Sequence, residues 1–410
     1  MALRLVWIIR SRKNGKAAGA DGIPYDLLKI CLSPSHGATP EQKQQDQRFI
    51  DALLQLFNQC WRTELVPDTW CEALITLIYK GSGDKHLPQK YRPISLVPVL
   101  AKIYQALILH RMEVLWEIGA IEQLNPAQAA YRQRHSCGGN RHLLRKVVHE
   151  CRAKAQKLLL ATVDISKAYN TVDRKILLCK LHAMGVQGKL WRVISNLHDN
   201  TTETVVWRTQ RLAPYTTNRG IPQGTVLSPI LFSIMVNDLA SHMLTTELID
   251  TTTSFTDPGA VPTEERTRAF VRRLVMQYSD DTILLAYSET DMQRLLESIA
   301  RWAADTRLKL NMLPKKSDVI VAAGVPIPTT TFTTHFGTTE LTDRLEYLGG
   351  VTASVSSTVQ RHDAGRLSYQ LTANLQSFRA GLIKTDRYGM HRSTCASGPS
   401  TSVCDIRTVE

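Results

Sequence analysis

The sequence contains no CxxC pair and no clustered histidines, although it has eight cysteines, at positions 31, 60, 71, 137, 151, 179, 395 and 404. Zinc ligation needs such short-range pairs, and a disulfide scaffold needs a denser cysteine framework; neither is indicated, and reduced intracellular thiols are the simpler reading. Long apolar runs are also missing. The opening stretch "MALRLVWIIRSRKNG" is interrupted by Arg4, is far shorter than a membrane span and is not followed by a small-residue cleavage site, so it reads as a soluble amphipathic segment. No solenoid-type repeat is found. Nor is there an acidic excess: 50 Lys+Arg against 37 Asp+Glu give a net charge of +13, which favours a polyanionic partner, a nucleic acid or an anionic membrane.

What is present is an ordinary globular composition. At 410 residues and 43% hydrophobic content the chain is long enough for two or three packed subregions. "QKQQDQRFIDALLQLFNQCW" (42–61) places Phe49, Ile50, Leu53, Leu54, Phe57, Cys60 and Trp61 on one helical stripe. "CEALITLIYKGSGDK" reads as a strand over Leu74–Tyr79 entering a glycine turn, and Val99–Leu115 returns to helical periodicity. Further strands are expected at "KLLLATVD" (157–164), "ETVVW" (203–207), the hairpin "VMQYSDDTILLAY" (275–287) and within 319–351. Helices are expected at "DRKILLCKLHAMG", closed by Gly185, and at "TVLSPILFSIMVNDLA" (225–240). Strands and helices mix without a βαβ rhythm, which predicts an α+β fold with an antiparallel sheet.

Three carboxylates interrupt this apolar pattern: Asp164 directly after "LLLATV", and Asp280 with Asp281 inside the hairpin. A charge at the end of a buried strand is costly unless a partner or a metal compensates it. Adjacent strand residues face opposite ways, but a tight turn can bring both hairpin carboxylates to one edge, and a neighbouring strand ending in Asp164 completes an oxygen-rich cluster suited to Mg²⁺. Such a cluster matches two-metal phosphoryl transfer. By itself, however, an Asp-Asp pair is also what a surface hairpin turn contains.

The company of these residues resembles a known family, the reverse transcriptases, and most closely those of non-LTR (LINE-type) retrotransposons. "YSDD" is similar to the family's Y-x-D-D, "TVDISKAYNTVD" to its D-x-x-x-A-F/Y-D segment, and "RGIPQGTVLSPILF" (219–232) to R-G-x-P-Q-G-S-x-L-S-P-x-L-F. "GKAAGADGIPYDLLK", "KYRPISLVPVLAKIYQALI", "NPAQAAYRQRHSC", "LKLNMLPKKSDV" and "EYLGG" follow the family's order, so the resemblance covers about residues 15–350.

The resemblance implies a right-hand polymerase with fingers over 1–156, an antiparallel-sheet palm over 157–350 carrying a polar insertion at about 241–270, a partial thumb over 351–392 that includes a helix at 365–382, and a disordered tail over 393–410. It implies that Asp164, Asp280 and Asp281, with the backbone carbonyl of Ile165, hold two Mg²⁺ ions, for which Mn²⁺ could substitute. Tyr169 matches the aromatic beneath the incoming sugar that excludes a ribose 2′-hydroxyl. Pro222 and Gly224 would shape a backbone able to approach a nucleotide, with Gln223 near the base pair or template. Lys80 and Arg92 match the basic residues that hold the triphosphate, and Lys316, or its neighbour Lys315, the lysine that protonates the departing pyrophosphate; the segment has two more residues after Asn311 than the family's L-N-x-x-K-S/T. Asn170, Ser279, Ala130 and Arg134 stand where the family usually has aspartate, alanine and two glycines.

The implied reaction is RNA-templated DNA synthesis, with an RNA template, a DNA primer and deoxynucleoside triphosphates as partners, no membrane, and a location in the nucleus or cytoplasm. A catalytically degenerate nucleic-acid-binding remnant is the alternative from a different class. A group II intron maturase shares the chemistry, but "KYRPISL" and "EYLGG" lean toward the retrotransposon type. An RNA-dependent RNA polymerase shares the carboxylates, and Tyr169 speaks against it.

Overall fold

The computed structural model describes residues 2–32, 37, 39–132, 134–199, 201–208, 210–245, 274–328 and 331–355. The expected thumb helix, the tail and residues 246–270 of the expected insertion lie outside the described residues.

In chain order the chain forms α1 (Ala2–Ser11), α2 (Tyr25–Ile30), α3 (Pro40–Thr63), β1 (Glu72–Tyr79), β2 (Tyr91–Leu96), α4 (Val99–Glu117), α5 (Cys137–Ala153) and β3 (Leu158–Ile165). There follow α6 (Ala168–Thr171), α7 (Arg174–Ala183), α8 (Gly188–Asn196), β4 (Thr201–Trp207), β5 (Gln210–Arg211), β6 (Tyr215–Thr217), α9 (Ser228–Met235) and α10 (Leu239–Thr245). The described part closes with β7 (Val275–Tyr278), β8 (Asp281–Ala286), α11 (Glu289–Asp305), β9 (Leu310–Asn311), β10 (Val319–Ala323) and two small hairpins, β11 (Thr331–Thr334) with β12 (Gly337–Glu340) and β13 (Arg344–Tyr347) with β14 (Gly350–Ala353).

Local sequence explains the long helices. At the start of α3, Thr39 Oγ1 accepts from Gln42 N at 3.3 Å while Gln42 Oε1 accepts from Thr39 N at 2.9 Å, a reciprocal cap worth about 1 kcal/mol. Its expected stripe is buried at Ile50, Leu53, Phe57 and Cys60, with Phe49, Leu54 and Trp61 at the margin. Among the described residues no helix is long and apolar enough to cross a membrane.

Two sheets organise the rest. The first has the order β2-β1-β4-β5, with β6 also on β4; the β1–β4 pairing is parallel, Glu72 opposite Thr202 to Thr76 opposite Val206. Strands β4, β5 and β6, inside the interval expected as palm, therefore join a sheet begun by residues of the interval expected as fingers. Strand β2 tolerates Pro93 because it is an edge: Pro93 faces Leu77 without needing an N–H for a further neighbour.

The second sheet is antiparallel throughout, in the order β10-β3-β8-β7 with β9 also on β3, as the α+β reading required. Its strands are apolar on both faces because both are covered. Leu159, Ala161, Val163 and Leu284 belong to the core that includes α9 and α11, while Leu158, Leu160, Ile283 and Leu285 pack with Leu144 and Val148 of α5 and with Leu345 of β13. Each of these leucines and isoleucines contributes about 2 kcal/mol by burial, which makes the sheet a stiff support for whatever its ends carry.

The expected helix over 225–240 is shorter and broken. Thr225 Oγ1 and Ser228 Oγ lie 2.6 Å apart in the turn before α9, and α9 ends at Met235. Asn237 and Asp238 then serve tertiary partners: Asn237 Oδ1 accepts from Asn125 N at 2.6 Å, and Asp238 Oδ1 accepts from Lys180 Nζ at 2.6 Å and Trp302 Nε1 at 3.0 Å. Those demands set the break before α10.

Candidate active site

Asp164 lies near the end of β3, and Asp281 is the first residue of β8. The register pairs Val163 with Thr282, so one step further sets Asp164 opposite Asp281. Both continue the row of Leu160 and Ile283, which anchors the two carboxylates to a buried face. Asp280 occupies the two-residue turn with Ser279, between the paired Tyr278 and Asp281. Ser279 has φ +60° and Asp280 is not in the left-handed region, the φ pattern of a type II′ turn, whose first central position favours glycine.

The three acids act on one another. Burial, then the charges of Asp280 and Asp164, push the Asp281 carboxyl up to about 6, with Lys316 opposing; the side chain nevertheless opens to solvent on one side. An all-oxygen, anionic donor set whose members repel is chemistry that a hard divalent cation relieves. Among the described residues no three His, Cys, Asp or Glu side chains are gathered into a coordination shell. One reason is visible at Asp164: its Oδ2 accepts from Asn311 Nδ2 at 3.0 Å and pairs with Lys316 Nζ at 3.6 Å.

Lys316 is thereby distinguished from Lys315. Lys315, at φ +64°, turns its backbone N–H onto Asp318 Oδ1 at 3.0 Å, whereas Lys316 reaches the acids. The longer "NMLPKKS" loop is accommodated by Ser317: its Oγ donates to Asn311 O at 2.8 Å and accepts from Asp164 N at 3.2 Å, closing the loop onto β3.

Lys80 lies within electrostatic reach of Asp164 and Lys316. Lys80, donating from Nζ to Gln89 O at 2.8 Å, has its pKa lowered by burial first, then by Lys316, Arg92 and Lys90, with Asp164 opposing. The charges of Arg92, Lys316 and Asp164, from three other segments, thus all reach Lys80.

Tyr169 lies just before the RGIPQG loop in space: its carbonyl accepts from Ile221 N at 2.9 Å, its ring stacks on Phe232 with centroids 5.0 Å apart and planes 19° apart, and its hydroxyl is 3.4 Å from that of Tyr131. The loop itself is held close. Gln223 O accepts from Ser95 N at 2.7 Å, and a Cβ at Gly224 (φ +123°) would stand 3.0 Å from Ser95 O. Gln223 also lines a cavity of about 230 Å³ together with Ile75, Pro93, Asn170, Tyr215 and Arg219. Ile165, whose side chain is buried, pairs with Leu310 of β9.

Three supporting residues escaped the sequence reading. Arg174 donates to Gly220 O, His198 O and Thr217 O, each at 2.7 Å, to Thr201 Oγ1 at 2.7 Å, to Thr217 Oγ1 at 3.1 Å and to Arg219 O at 3.2 Å, tying α7 to the start of the loop. Its only sequence signal is a place after the helix-capping Asp173, which does not reveal partners decades of residues away. Gln128 and Asn311 sit in segments whose resemblance was noted, yet an amide's partners are not encoded in its own segment.

Comparison with known proteins bears on this arrangement. The family described as "Reverse transcriptase (RNA-dependent DNA polymerase)" matches residues 78–351. A Drosophila melanogaster protein named probable RNA-directed DNA polymerase from transposon BS is 26% identical over 280 residues, covering 66% of this chain and 28% of that one. A Popillia japonica Pol polyprotein from the type-1 retrotransposable element R2 is 26% identical over 267 residues, covering 65% of this chain and 34% of the relative. The chain therefore spans about a third or less of the length of these relatives. An apo telomerase structure from Candida tropicalis covers 74% of this chain and 60% of its own at 12% identity, with a TM-score of 0.43.

Proposed function

Because the chain belongs to the reverse transcriptase family, we propose that it adds deoxynucleotides to a DNA primer 3′-hydroxyl on an RNA template, as the polymerase part of a non-LTR retrotransposon protein acting in the nucleus or cytoplasm. The observation that carries this reading is the meeting of Asp164 with Asp280 and Asp281 at the shared end of β3 and β8, with Lys316 paired to Asp164 and the Lys80 charge within reach of both. A nucleoside triphosphate presents the complementary charge.

In this reading the second sheet belongs to the palm and β1–β2 to the fingers, with the boundaries expected from sequence. Reverse transcriptases generally use divalent metals, and here the finer assignment is two Mg²⁺, or Mn²⁺ in their place, held by Asp164, Asp280, Asp281 and the Ile165 carbonyl. Bound there, the ions would lower the pKa of the primer hydroxyl and neutralise phosphate charge. Arg92 offers a planar fork and Lys80 a point charge to the triphosphate oxygens. Lys316, already beside Asp164, would give its proton to the departing pyrophosphate. The Tyr169 ring, fixed on Phe232, closes the space a 2′-hydroxyl would need, and Gly224 lets the Gln223 backbone lie against β2, where base pair and template are expected.

Primer extension on an RNA template with Mg²⁺ tests the function. Wild type is expected to extend, and the Asp280→Asn/Asp281→Asn double variant to lose extension; equal incorporation by both would sink the metal assignment. A second reading, a non-catalytic nucleic-acid-binding remnant, is favoured by the engagement of Asp164 with Lys316 and Asn311, and it predicts salt-sensitive RNA binding without extension.

A further inference from the structure

The hairpin that carries Asp280 and Asp281 turns through Ser279 at φ +60°, a conformation that a residue with a Cβ does not favour in isolation. Something has to hold it, and the structure shows what does. Gln128, fully buried, lies alongside the end of β7: Gln277 N donates to Ala127 O at 2.9 Å, Ala129 N donates to Gln277 O at 3.0 Å, and the two glutamines form a parallel bridge. From this edge the Gln128 side chain straddles the turn. Its Oε1 accepts from Ser279 N at 3.0 Å and from Ala130 N at 3.0 Å, while its Nε2 donates to Ser279 O at 3.4 Å. Both backbone polar groups of the strained residue thus end on one amide from a segment 151 positions away.

We propose that Gln128 is a positioning residue for the two hairpin carboxylates: by holding the backbone of Ser279 it fixes the turn from which Asp280 and Asp281 present their oxygens to a divalent cation. The Gln128 side chain hydrogen-bonds to neither carboxylate and reaches them through the backbone of Ser279. The choice of residue follows from the task. A donor and an acceptor must reach the N–H and C=O of one residue at once, which a side-chain amide does and an ionised carboxylate, an ammonium or an apolar group does not. The amide must also be uncharged, since burial this complete makes a charge costly. The same segment ends at Tyr131, whose hydroxyl meets that of Tyr169, so one piece of chain supports both the turn and the neighbouring aromatic.

The inference rests on the function proposed above, and the test separates the two. The probe is Mn²⁺, its binding read from the loss of the free-ion electron paramagnetic resonance signal in complexes with a dideoxy-terminated template–primer and the matching deoxynucleotide. Gln128→Met, which keeps length and apolar volume, is expected to weaken Mn²⁺ binding about tenfold, the low end of what lost outer support costs a metal site. Template–primer affinity, read by fluorescence anisotropy without metal, stays within about twofold, since phosphate contacts dominate it.

The decisive arm is Ser279→Gly. Glycine accepts φ +60° unaided, so in that background Gln128→Met should cost about threefold or less. Gln105→Met, a similarly buried amide on α4 with no partner for its Oε1, should leave Mn²⁺ binding at the wild-type value. If Gln128→Met loses its thermal transition, Gln128→Asn, one methylene too short to span both groups, replaces it with the same expected weakening. Superimposable Mn²⁺ isotherms for wild type and the Gln128 variant, or an equal loss with and without the Ser279→Gly substitution, overturn the positioning role. Absence of Mn²⁺ binding by wild type overturns the proposed function and this inference with it.

Discussion

His198 allows a quantitative test of the support behind the RGIPQG loop. It is 7% exposed, its Nδ1 lies 2.9 Å from Ile194 O, and its own carbonyl accepts from Arg174. Burial lowers its pKa from 6.5 to about 4, the hydrogen bond to Ile194 opposing and the nearby Arg174 charge reinforcing the shift. The folded value is depressed, so the unfolded chain binds this proton more readily. The stability associated with the neutral ring is therefore complete above about pH 6.5 and is lost as pH falls toward about 4. A displacement of roughly 2.5 pH units at 1.36 kcal/mol each amounts to about 3 kcal/mol, with a slope near 1.4 kcal/mol per pH unit across the window. Other groups titrate in the same range, so the quantity to measure is a difference. Wild type and His198→Gln are unfolded in urea at several pH values from 7 to 4, with tryptophan fluorescence as the signal. Lost packing in the variant is a constant offset, whereas the His198 proton appears only as a change of that offset with pH. The gap between the two should shift by about 3 kcal/mol in favour of the variant on acidification. Parallel stability curves would refute the buried, neutral imidazole and with it the tight packing of His198 and Thr201 around Arg174.

Two further substitutions probe the loop and the aromatic beside it. Gly220→Ala adds a Cβ 2.9 Å from Asn170 O at φ +83°, whereas Gly22→Ala meets open space at φ +68°. The first should destabilise by about 3 kcal/mol and the second by about 1 kcal/mol in urea unfolding, since both strain the backbone but only one clashes with it; equal costs would contradict the close approach of the loop to Asn170. Tyr169→Ala should raise ribonucleotide incorporation relative to deoxynucleotide by about tenfold or more in single-nucleotide extension. Unchanged discrimination would remove Tyr169 from the sugar-facing role.

Much of the architecture was legible because burial writes a period into the chain. The α3 stripe and the two-faced apolar strands β3 and β8 read directly, since a sheet covered on both sides leaves no polar alternation. Pairing was not legible. The parallel contact of β1 with β4 joins Leu74 to Thr204, and nothing local in either strand specifies the other. Strand β2 was obscured by Pro93, which an edge tolerates. The 225–240 helix was read too long because its apolar pattern continues through Val236 and Leu239, while the break is imposed by distant partners of Asn237 and Asp238.

The same distinction governs the site. Asp164, Asp280 and Asp281 were conspicuous because each interrupts an apolar stretch of sequence, and a violation of pattern is a local signal. Gln128 and Arg174 violate nothing: a glutamine in a loop and an arginine at a helix start are ordinary choices until their hydrogen bonds are known. Ser279 lies between the two cases. Its family resemblance pointed only to a serine in place of alanine, yet both residues carry a Cβ and face the same penalty at φ +60°. The exchange of side chain therefore matters less to the turn than the backbone clamp does, and a chain that kept all three aspartates but lost Gln128 would retain the visible motif while losing the support that aims it.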